Sequence, residues 1–462
     1  MRWKILLTLL SAVLVVLVFP PIGWWFLAPV AWVPLLMALK DTGLRASFRL
    51  GVLHGFVSFG ATLWWLLEIF ATFAPVLWMM LALFTGLFGM ACHFAHRFQT
   101  KWLPVIIATL WTGIEYYRSE LFVLDFPWIT PGTGFPPNFL TPIIGVYGVS
   151  FFIFLMSMFL IQGHSIREKN NRLISSISFV AVFVILAFGL PSRHHQIDLK
   201  IALIQNEEAL FDTHYEMSEP LAGKVDAIVW PEYAVPFDPN SHPQAKPLPD
   251  LLVDRTEVIV LGGRKDHEKD FHNTAFTQGK AGPLGHHVKN HTVHLFADGI
   301  RGTTAEPIDT PLGKIGTPIC FDCDYQDVIR KMTAKGAAFF LIPIMDAESW
   351  TARQHLQHAE LFRHRAAENG RWLAIAATSG QTQIIAPNGE VTAAIPLMKP
   401  GVLTGTIQPL THLTLFQRGG WLFGPICFAA LFVLLALSLL TLHRRRKSGS
   451  VSSTNGGSHH SR

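Results

Sequence analysis

A cysteine followed closely by a carboxylate marks the most reactive-looking stretch of the chain, Gly316 to Cys323. The apolar residues from Ile315 to Cys320 predict a short strand, and those from Asp324 to Ala334 predict a helix. A helix N-terminus lowers the pKa of a thiol and so favours the nucleophilic thiolate at Cys320. The alternative is a half-buried structural cysteine, the usual role of a cysteine considered alone. A nucleophile at this position needs partners elsewhere in the chain.

Two further polar groups follow predicted strands and would supply those partners. Glu232 comes directly after the apolar segment Ala227–Trp230, and Lys289 lies in a histidine-rich segment, 286–291. A carboxylate can accept the thiol proton, and an ammonium can stabilise the oxyanion that forms when a thiolate attacks a carbonyl. Taken singly, Glu232 would be a surface or capping carboxylate and Lys289 a solvated lysine. Spacing along the chain does not show that the three meet.

Cys320 and Cys323 also form a C-x-x-C pair, which allows a redox or zinc-binding interpretation. The sequence around the pair has neither a thioredoxin-like context nor a second pair of metal ligands. Oxidation of the pair to a disulfide would block the nucleophile. A predicted helix carries His355, His358 and His364, for which a solvated or hydrogen-bonded face is favoured over a metal site. We therefore predict no metal and no cofactor.

The composition divides the chain into a membrane part and a soluble part. Hydrophobic residues make up 50% of the chain and charged residues only 15%, whereas about 25% of residues are charged in typical soluble domains. Apolar segments are concentrated at 5–190 and 421–442, and 195–410 has an ordinary globular composition. The net charge of +5 does not indicate nucleic-acid binding, because the basic residues lie in short clusters between apolar segments and at the C-terminus.

Seven apolar segments before the soluble part and one after it predict about eight membrane spans. They are residues 5–19, 24–39, 50–70, 74–95, 103–117, 140–162, 172–190 and 421–442. Clusters of Lys and Arg lie in alternate connections, so that every cluster falls on one side of the membrane. Basic connections stay in the cytoplasm, which places both termini there and the soluble part on the opposite face.

The predicted organisation has four parts: a membrane region of about seven helices at 1–194, an α/β domain at 195–412, a transmembrane helix at 413–443 and a basic, then disordered tail at 444–462. The loop Tyr116 to Asn138 is expected on the outer side, as an interfacial segment and as part of a mouth above the membrane. Within the α/β domain, short β-rich segments alternate with helices, which predicts a layered fold. Its strands are predicted at Leu199–Gln205, Ala227–Trp230, Val258–Gly262, Ile315–Cys320, Ala338–Pro343, Leu373–Ala377 and Gln383–Ile385, with a long helix at Thr351–Asn369.

Three of these motifs, in their order along the chain, resemble the Glu–Lys–Cys signature of the nitrilase superfamily. They are Trp230-Pro231-Glu232, Lys289-Asn290-His291 and Ile319-Cys320-Phe321-Asp322. Six other segments resemble apolipoprotein N-acyltransferases: Phe19 to Trp24, Trp111 to Glu115, Phe126 to Trp128, Gly145 to Ser150, Gln354 to Gln357 and Glu368 to Arg371. The resemblance extends over nearly the whole chain, and the combination of membrane helices, inserted domain and final anchor makes it specific.

The resemblance implies a polytopic α-helical membrane protein with an inserted nitrilase-like αββα sandwich. Glu232 would be the general base, Lys289 the oxyanion stabiliser and Cys320 the nucleophile. Members of the family take an acyl chain from a phospholipid, hold it as a thioester and transfer it to the N-terminal α-amine of a diacylglyceryl-apolipoprotein. The implied location is the bacterial inner membrane, with the catalytic domain on the periplasmic side and no cofactor.

The chain departs from the family pattern close to the nucleophile. Asp298 and Asp322 stand where the family usually has glutamates, and both are expected to support the site. One missing methylene can displace a carboxylate by about 1 Å, which can cost roughly 10²-fold in rate. Pro318 is unexpected in a central strand, because proline removes a ladder donor. Two alternatives therefore stay open: a membrane-tethered nitrilase-type amidase or hydrolase, and a catalytically weak lipoprotein-binding homologue.

Overall fold

The computed structural model describes residues 1–98, 100–165 and 198–454. A bundle of apolar helices packs against a two-sheet α/β domain, and the predicted span at 172–190 lies outside the described residues. The helices of the N-terminal bundle are α1 Arg2–Val18, α2 Ala28–Ala31, α3 Val33–Leu39, α4 Leu44–Thr62, α5 Leu66–Phe70, α6 Ala74–Ala95, α7 Leu103–Tyr116 and α8 Thr141–Ser165.

Three helical segments in the described part of the chain are long and apolar enough to cross a membrane: Leu66–Phe98, Thr141–Gln162 and Gly420–Ser438. The structure does not confirm the predicted count of about eight spans. The second predicted span is divided into α2 and α3, each of which has a proline in its first turn. Proline is accepted at the start of a helix, where its missing N–H is not needed, so the break falls naturally before Pro34.

The segment after α7 stays helical for longer than predicted. A π-helical turn follows at Tyr117–Leu121, with Arg118 and Ser119 buried, so the prediction of a loop from Tyr116 is wrong at its start. The Nη2 atom of Arg118 donates to the carbonyl oxygen of Trp128 at 3.0 Å. This hydrogen bond explains the difference, because it folds the following chain back onto the helix end.

The α/β domain is built on two six-stranded sheets. The first has the order β12-β1-β2-β3-β4-β5 and contains β1 Leu199–Gln205, β2 Ala227–Val229, β3 Val258–His267, β4 Asp270–Gly279, β5 Gly282–Val288 and β12 Gly401–Ile407. The second has the order β11-β10-β9-β8-β7-β6 and contains β6 Ile308–Thr310, β7 Gly313–Gly316, β8 Phe339–Ile344, β9 Leu373–Ala377, β10 Gln383–Ile385 and β11 Val391–Ala394.

Helices cover the outer faces of both sheets, which gives the αββα layering. Leu203 and Val229 of the first sheet share one core with Leu341 and Ile375 of the second. The outer face of the first sheet packs against α9 Phe211–Ser218. The second sheet packs against α10 Asp327–Ala334 and α11 Thr351–Asn369. Strands buried on both faces require continuous apolar runs, which is why β8 and β9 were recognisable in the sequence.

The strand directions bring the predicted site residues to one edge of the domain. Strands β2 and β3 are parallel, and β5 runs the same way because two antiparallel pairings separate it from β3. In the second sheet β7, β8 and β9 are parallel. Ligands bind outside the carboxyl ends of such strands. Glu232, Lys289 and Cys320 follow β2, β5 and β7 respectively.

Helix α11 also joins the α/β domain to the bundle. Leu361 belongs to the core of the bundle. The Nε2 atom of Gln357 donates to the carbonyls of Pro20 at 3.2 Å and Thr62 at 3.1 Å. Its Oε1 atom accepts from the indole of Trp65 at 2.9 Å. These contacts fix the active-site edge of the domain against the bundle.

Two helices end the described chain, α12 Leu415–Arg418 and α13 Phe423–Thr454. Helix α13 continues past Ser448, beyond which disorder was predicted, and residues 455–462 lie outside the described part.

Candidate active site

A buried lysine joins two carboxylates at the strand ends. The Nζ atom of Lys289 lies 2.8 Å from Oε1 of Glu232 and 2.8 Å from Oδ2 of Asp298. The side chains of Glu232 and Lys289 are each only 2% exposed. A buried ammonium is stable only when it is paired, and this one has two anionic partners. The structure therefore brings together three of the five predicted site residues in a single ionic cluster.

Glu232 keeps one carboxylate oxygen free within this cluster. Its Oε1 atom accepts from Lys289 and, at 2.6 Å, from Nδ2 of Asn273. Its Oε2 atom has no hydrogen-bond partner among the residues that the structure describes. An unpaired oxygen of a buried carboxylate can accept a proton without first breaking a hydrogen bond.

Cys320 stands on a tight turn rather than at the end of a strand. Strand β7 ends at Gly316, a single 3₁₀ turn spans Cys320–Cys323, and helix α10 begins only at Asp327. The prediction of a strand to Cys320 and a helix from Asp324 was therefore wrong in its bounds. The reason is local: Cys320 has φ +46°, which neither a strand nor an α-helix accommodates. Pro318 lies beyond β7, so it removes no donor from the sheet.

A strained backbone at a nucleophile exposes its side chain on a sharp turn. The thiol of Cys320 donates to the carbonyl oxygen of Met345 at 3.7 Å, a contact suited to sulfur. Helix α10 begins at Asp327, so Cys320 does not stand at the N-terminus of this helix as predicted.

The pKa values give the cluster its charge distribution. Burial, together with the charge of Glu232, raises the pKa of Cys320 well above its usual 9.0, and Lys289 only partly opposes this. The prediction of a lowered thiol pKa is therefore wrong, because burial outweighs any helix-end effect. Burial also raises the pKa of Glu232 above 4.5, against the charge of Lys289. Burial alone would lower the pKa of Lys289, but Glu232 and Asp298 raise it well above 10.5. The resting site thus holds a neutral thiol beside an ammonium and a basic carboxylate.

Asp298 is the second carboxylate that pairs with Lys289. Its Oδ1 atom accepts from Asn273 at 2.8 Å and from the hydroxyl of Tyr233 at 2.7 Å, and its Oδ2 atom accepts from the backbone N–H of Val293 at 2.8 Å. Burial favours its neutral form, but Lys289 outweighs this and lowers the pKa of Asp298. Although its side chain is shorter than that of glutamate, Asp298 forms an ion pair with Lys289 at 2.8 Å.

Asp322 connects the turn of Cys320 to the segment of Lys289. Its Oδ1 atom accepts from the backbone N–H groups of Asn290 at 2.9 Å and His291 at 2.8 Å. Its Oδ2 atom accepts from the imidazole of His287 at 2.9 Å and from the N–H of Ile319 at 3.1 Å. Both oxygens are occupied, so the structure places Asp322 as a brace between two site segments.

Sequence reasoning missed Asn273 and Tyr233. Asn273 lies within β4, between Glu232 and Asp298, and donates to both. An asparagine within a strand carries no sequence signal for such a role, since only the sheet register puts it opposite the site. Tyr233 directly follows Glu232, and its hydroxyl donates to Asp298. Its φ of +56° is unusual for an aromatic residue, but φ is not readable from sequence.

Cys320 borders an apolar, partly open cavity of about 120 Å³ between the α/β domain and the bundle. Bundle residues line one side: Trp65, Leu66, Ile69, Phe70, Leu77, Met80 and Leu81. The connection after α7 contributes Leu124 to Phe126 and Trp128, and the α/β domain contributes Phe296 and Trp350. The aromatic ring of Phe296 contacts those of Phe70 and Trp350, with centroids 5.7 and 5.5 Å apart. The cavity therefore extends from the thiol to helices expected to lie in the membrane.

The second cysteine and the histidines take no part in the ionic cluster. Cys323 is fully buried in the core of the α/β domain and is not a cavity residue. His355 is paired with the carbonyl oxygen of Ala347 at 2.9 Å. His358 contacts Asp346 at 2.9 Å. Among the described residues, no group of three or more His, Cys, Asp and Glu side chains has a metal-binding arrangement.

The α/β domain belongs to the carbon-nitrogen hydrolase class of enzyme domains. Residues 197–412 match the family model described as carbon-nitrogen hydrolase. Residues 11–159 match the family model described as apolipoprotein N-acyltransferase N-terminal domain. The two matches together span both the bundle and the α/β domain. The chain belongs to the apolipoprotein N-acyltransferase family.

Relatives carry both parts over nearly the same length. A protein of Geobacter metallireducens named apolipoprotein N-acyltransferase is 28% identical over 511 aligned positions, which cover 97% of this chain and 96% of the relative. One of Shewanella oneidensis with the same name is 28% identical and covers 87% of this chain and 89% of the relative. A solved carbon-nitrogen hydrolase from Helicobacter pylori G27 is 18% identical and covers 46% of this chain and 90% of its own, with a TM-score of 0.39.

Proposed function

We propose that this protein transfers an acyl chain from a phospholipid to the N-terminal α-amine of a diacylglyceryl-apolipoprotein, through a thioester on Cys320. The observation that carries the proposal is the apolar cavity, because it connects Cys320 with an apolar space whose other wall is formed by the helices of the bundle. A water-soluble amide substrate would not need walls contributed by Leu77 and Leu81 of an apolar helix. Both proposed substrates are anchored in a membrane, and the cavity opens between the domain and the bundle.

In the first half-reaction, the thiol of Cys320 attacks the ester carbonyl of the phospholipid. Glu232 accepts the thiol proton on its free oxygen, and the ammonium of Lys289 stabilises the oxyanion of the tetrahedral intermediate. When the intermediate collapses, the ester C–O bond breaks and Glu232 returns the proton to the leaving alkoxide. The products are the Cys320 thioester and a lysophospholipid. Burial raises the pKa of Glu232, which makes it a stronger base than an ordinary carboxylate and so favours transfer of the thiol proton to it.

In the second half-reaction, the neutral α-amine of the lipoprotein attacks the thioester carbonyl. The C–S bond breaks, Glu232 accepts a proton from the attacking nitrogen, and that proton then restores the thiol of Cys320. The product is an amide. No oxidant, metal or further group is required for the balance of atoms and electrons.

Asp298 and Asp322 have supporting roles in this proposal. Asp298 keeps Lys289 protonated and aligned, and Asp322 holds the Cys320 turn against the segment that carries the lysine. Both contacts are made in full by the shorter side chain, so the departures from the family pattern do not argue for the catalytically weak alternative.

The proposed domain organisation and membrane topology agree with substrates that are anchored in a membrane. Residues 1–194 would form the membrane region, 195–412 the catalytic domain and 413–443 the final membrane helix, with 444–462 as a tail. In the bacterial inner membrane, the distribution of Lys and Arg would put the catalytic domain on the periplasmic side and both termini in the cytoplasm.

Intact-protein mass spectrometry tests the proposal against a hydrolase. The purified protein is incubated with phospholipid alone, then with a diacylglyceryl lipopeptide that has a free or an acetylated α-amine. We expect an acyl adduct on Cys320 that is discharged by the free amine and persists with the acetylated peptide. Discharge at the same rate in buffer alone would indicate a membrane-tethered hydrolase. The absence of any adduct would overturn both the acyltransferase and the hydrolase proposals.

A further inference from the structure

His358 lies in the middle of α11 with its imidazole buried between two carboxylates. Its Nδ1 atom donates to Oδ1 of Asp346 at 2.9 Å, and its Nε2 atom lies 3.2 Å from Oδ1 of Asp324. The three side chains are each no more than 2% exposed. The reaction steps above use none of them, although His358 and Asp346 line the same cavity as Cys320.

The two carboxylates belong to the segments that flank the nucleophile. Asp324 directly follows the 3₁₀ turn that begins at Cys320. Asp346 directly follows Met345, whose carbonyl oxygen accepts the hydrogen bond of the Cys320 thiol. The imidazole hydrogen-bonds to Asp346 and lies at ion-pair distance from Asp324, so it joins the chain on one side of the thiol to the chain on the other.

A tryptophan from the membrane region completes the arrangement. The indole Nε1 of Trp128 donates to Oδ2 of Asp324 at 2.6 Å. The rings of Trp128 and His358 are nearly parallel, at 17°, with centroids 5.4 Å apart. Trp128 is also a wall of the cavity. Asp324 therefore both pairs with His358 and holds Trp128 in its position at the cavity.

The protonation of His358 is consistent with a charged link. Burial alone would lower the pKa of the imidazole, but Asp346 and Asp324 together outweigh it and raise the pKa of His358 to about 10. The imidazole is therefore a cation at neutral pH. A cation stacked on an indole face gains a further attraction.

We propose that His358 is a positioning residue for acyl transfer: as an imidazolium it holds Asp324 and Asp346 together across Cys320, and so fixes both the nucleophile and the Trp128 wall of the cavity. The inference deepens the proposed function and rests on it, because the positioned group is the thiol that would carry the acyl chain.

Charge balance provides a specific way to test this role. With the imidazolium present, the three side chains carry one net negative charge. His358→Met leaves two buried carboxylates without their cation, which is strongly unfavourable unless one is protonated or the segments separate. Adding Asp324→Asn restores a single negative charge and keeps an amide oxygen that can accept from Trp128. A role confined to packing predicts no such recovery.

The experiment compares the wild-type protein, His358→Met and the double variant His358→Met/Asp324→Asn. Two rates are measured: thioester formation on Cys320 with phospholipid, and alkylation of Cys320 by iodoacetamide across a pH series. We expect thioester formation to be roughly 10²-fold slower in His358→Met, as for a misplaced reactive group. We expect the double variant to recover at least about a tenth of the wild-type rate, in line with restored charge. Thioester formation at the wild-type rate in His358→Met, or no recovery in the double variant, would overturn the proposal.

A matched control separates this role from a general effect on the helix. His364→Gln changes another buried histidine of α11 that does not line the cavity, and it should leave the alkylation profile of Cys320 unchanged. If wild-type protein formed no thioester, the proposed function would fail, but alkylation needs no lipid and would still test the role of His358. We expect His358→Met to change the alkylation profile of Cys320 and the double variant to return it toward that of the wild type, and an unchanged profile in His358→Met would overturn the proposal. Failure of both His358 variants to fold would count against the proposal, since restored charge is expected to restore the fold.

Discussion

The ammonium of Lys289 lies 2.8 Å from Oε1 of Glu232, and both side chains are buried. The contact uses one oxygen of the carboxylate and leaves the other without a partner in the described part of the chain. Glu232 can therefore anchor the lysine and exchange a proton at the same time. A site of this kind needs no preformed thiolate, which agrees with the raised pKa of the Cys320 thiol.

Replacing Glu232 by Gln should stop proton transfer while keeping the local contacts. The amide oxygen can still accept from Lys289 and Asn273, so we expect a folded protein. Loss of a general base typically costs about 10²- to 10⁴-fold, and we expect thioester formation to slow by that range. Rapid-quench mass spectrometry of the Cys320 adduct measures the rate. A loss of less than about threefold, small beside that range, would show that another group accepts the proton.

The pH profile of thioester formation should report Glu232. The carboxylate must be deprotonated to accept the thiol proton, so the rate rises with pH through the pKa of Glu232 and is lost below it. Because burial raises this pKa above the usual 4.5, the midpoint of the acidic limb should lie above pH 4.5. Single-turnover rates between pH 4 and pH 8 measure the limb, and Glu232→Gln should abolish it. A limb at or below pH 4.5, or one that persists in the variant, would assign it to another group.

Asp322→Asn should weaken the brace between the Cys320 turn and the Lys289 segment. An asparagine cannot accept at both terminal atoms, so either the two N–H groups at 290 and 291 or the His287 and Ile319 contacts lose their acceptor. We expect about a tenfold or greater fall in kcat from misplacement of the lysine. Asp226→Asn is the control, because Asp226 also accepts a backbone N–H, from Lys200 at 2.6 Å, but pairs with Arg255 outside the cluster. Equal losses of activity in the two variants would point to a general loss of stability.

Leu77→Trp should shorten the space available to the acyl chain. Leu77 lines the cavity from α6, and a larger side chain there would occupy part of its volume. We expect slower thioester formation from long-chain phospholipids and little change with short-chain ones. Leu83→Trp is the matched control, since Leu83 lies on the same helix, is 43% exposed and does not line the cavity. A uniform loss across chain lengths, or an equal effect of the control, would argue against an acyl-binding role.

Much of the α/β domain follows directly from the residue pattern. The predicted bounds of Leu199–Gln205, Leu373–Ala377, Gln383–Ile385 and Thr351–Asn369 agree with the structure, because buried strands and a long helix impose continuous or periodic apolar residues. The turn of Cys320 does not follow from the pattern. The turn has a positive φ at Cys320 and contacts Met345, just after β8, and the Lys289 segment, both of which are distant along the chain.

In the candidate site, too, some residues can be predicted from the sequence and others only from the fold. Glu232 and Cys320 are recognisable because each comes at or near the end of an apolar segment, and Lys289, Asp298 and Asp322 because they resemble family positions. Asn273 and the link from Asp346 through His358 to Asp324 depend on sheet register and on the docking of α11, which one-dimensional spacing does not encode. The raised pKa of the Cys320 thiol could not be predicted from the sequence either, because it results from burial and from the charge of Glu232.

In the proposed reaction Cys320, and not Cys323, carries the acyl chain, and two alanine variants distinguish these cysteines. Cys320→Ala, Cys323→Ala and wild-type protein are incubated with a phospholipid of defined chain length, and the intact mass and the modified peptide are determined. We expect an adduct of that acyl mass on Cys320 in the wild-type and Cys323→Ala proteins and none in Cys320→Ala. An adduct that persists in Cys320→Ala and disappears in Cys323→Ala would contradict it.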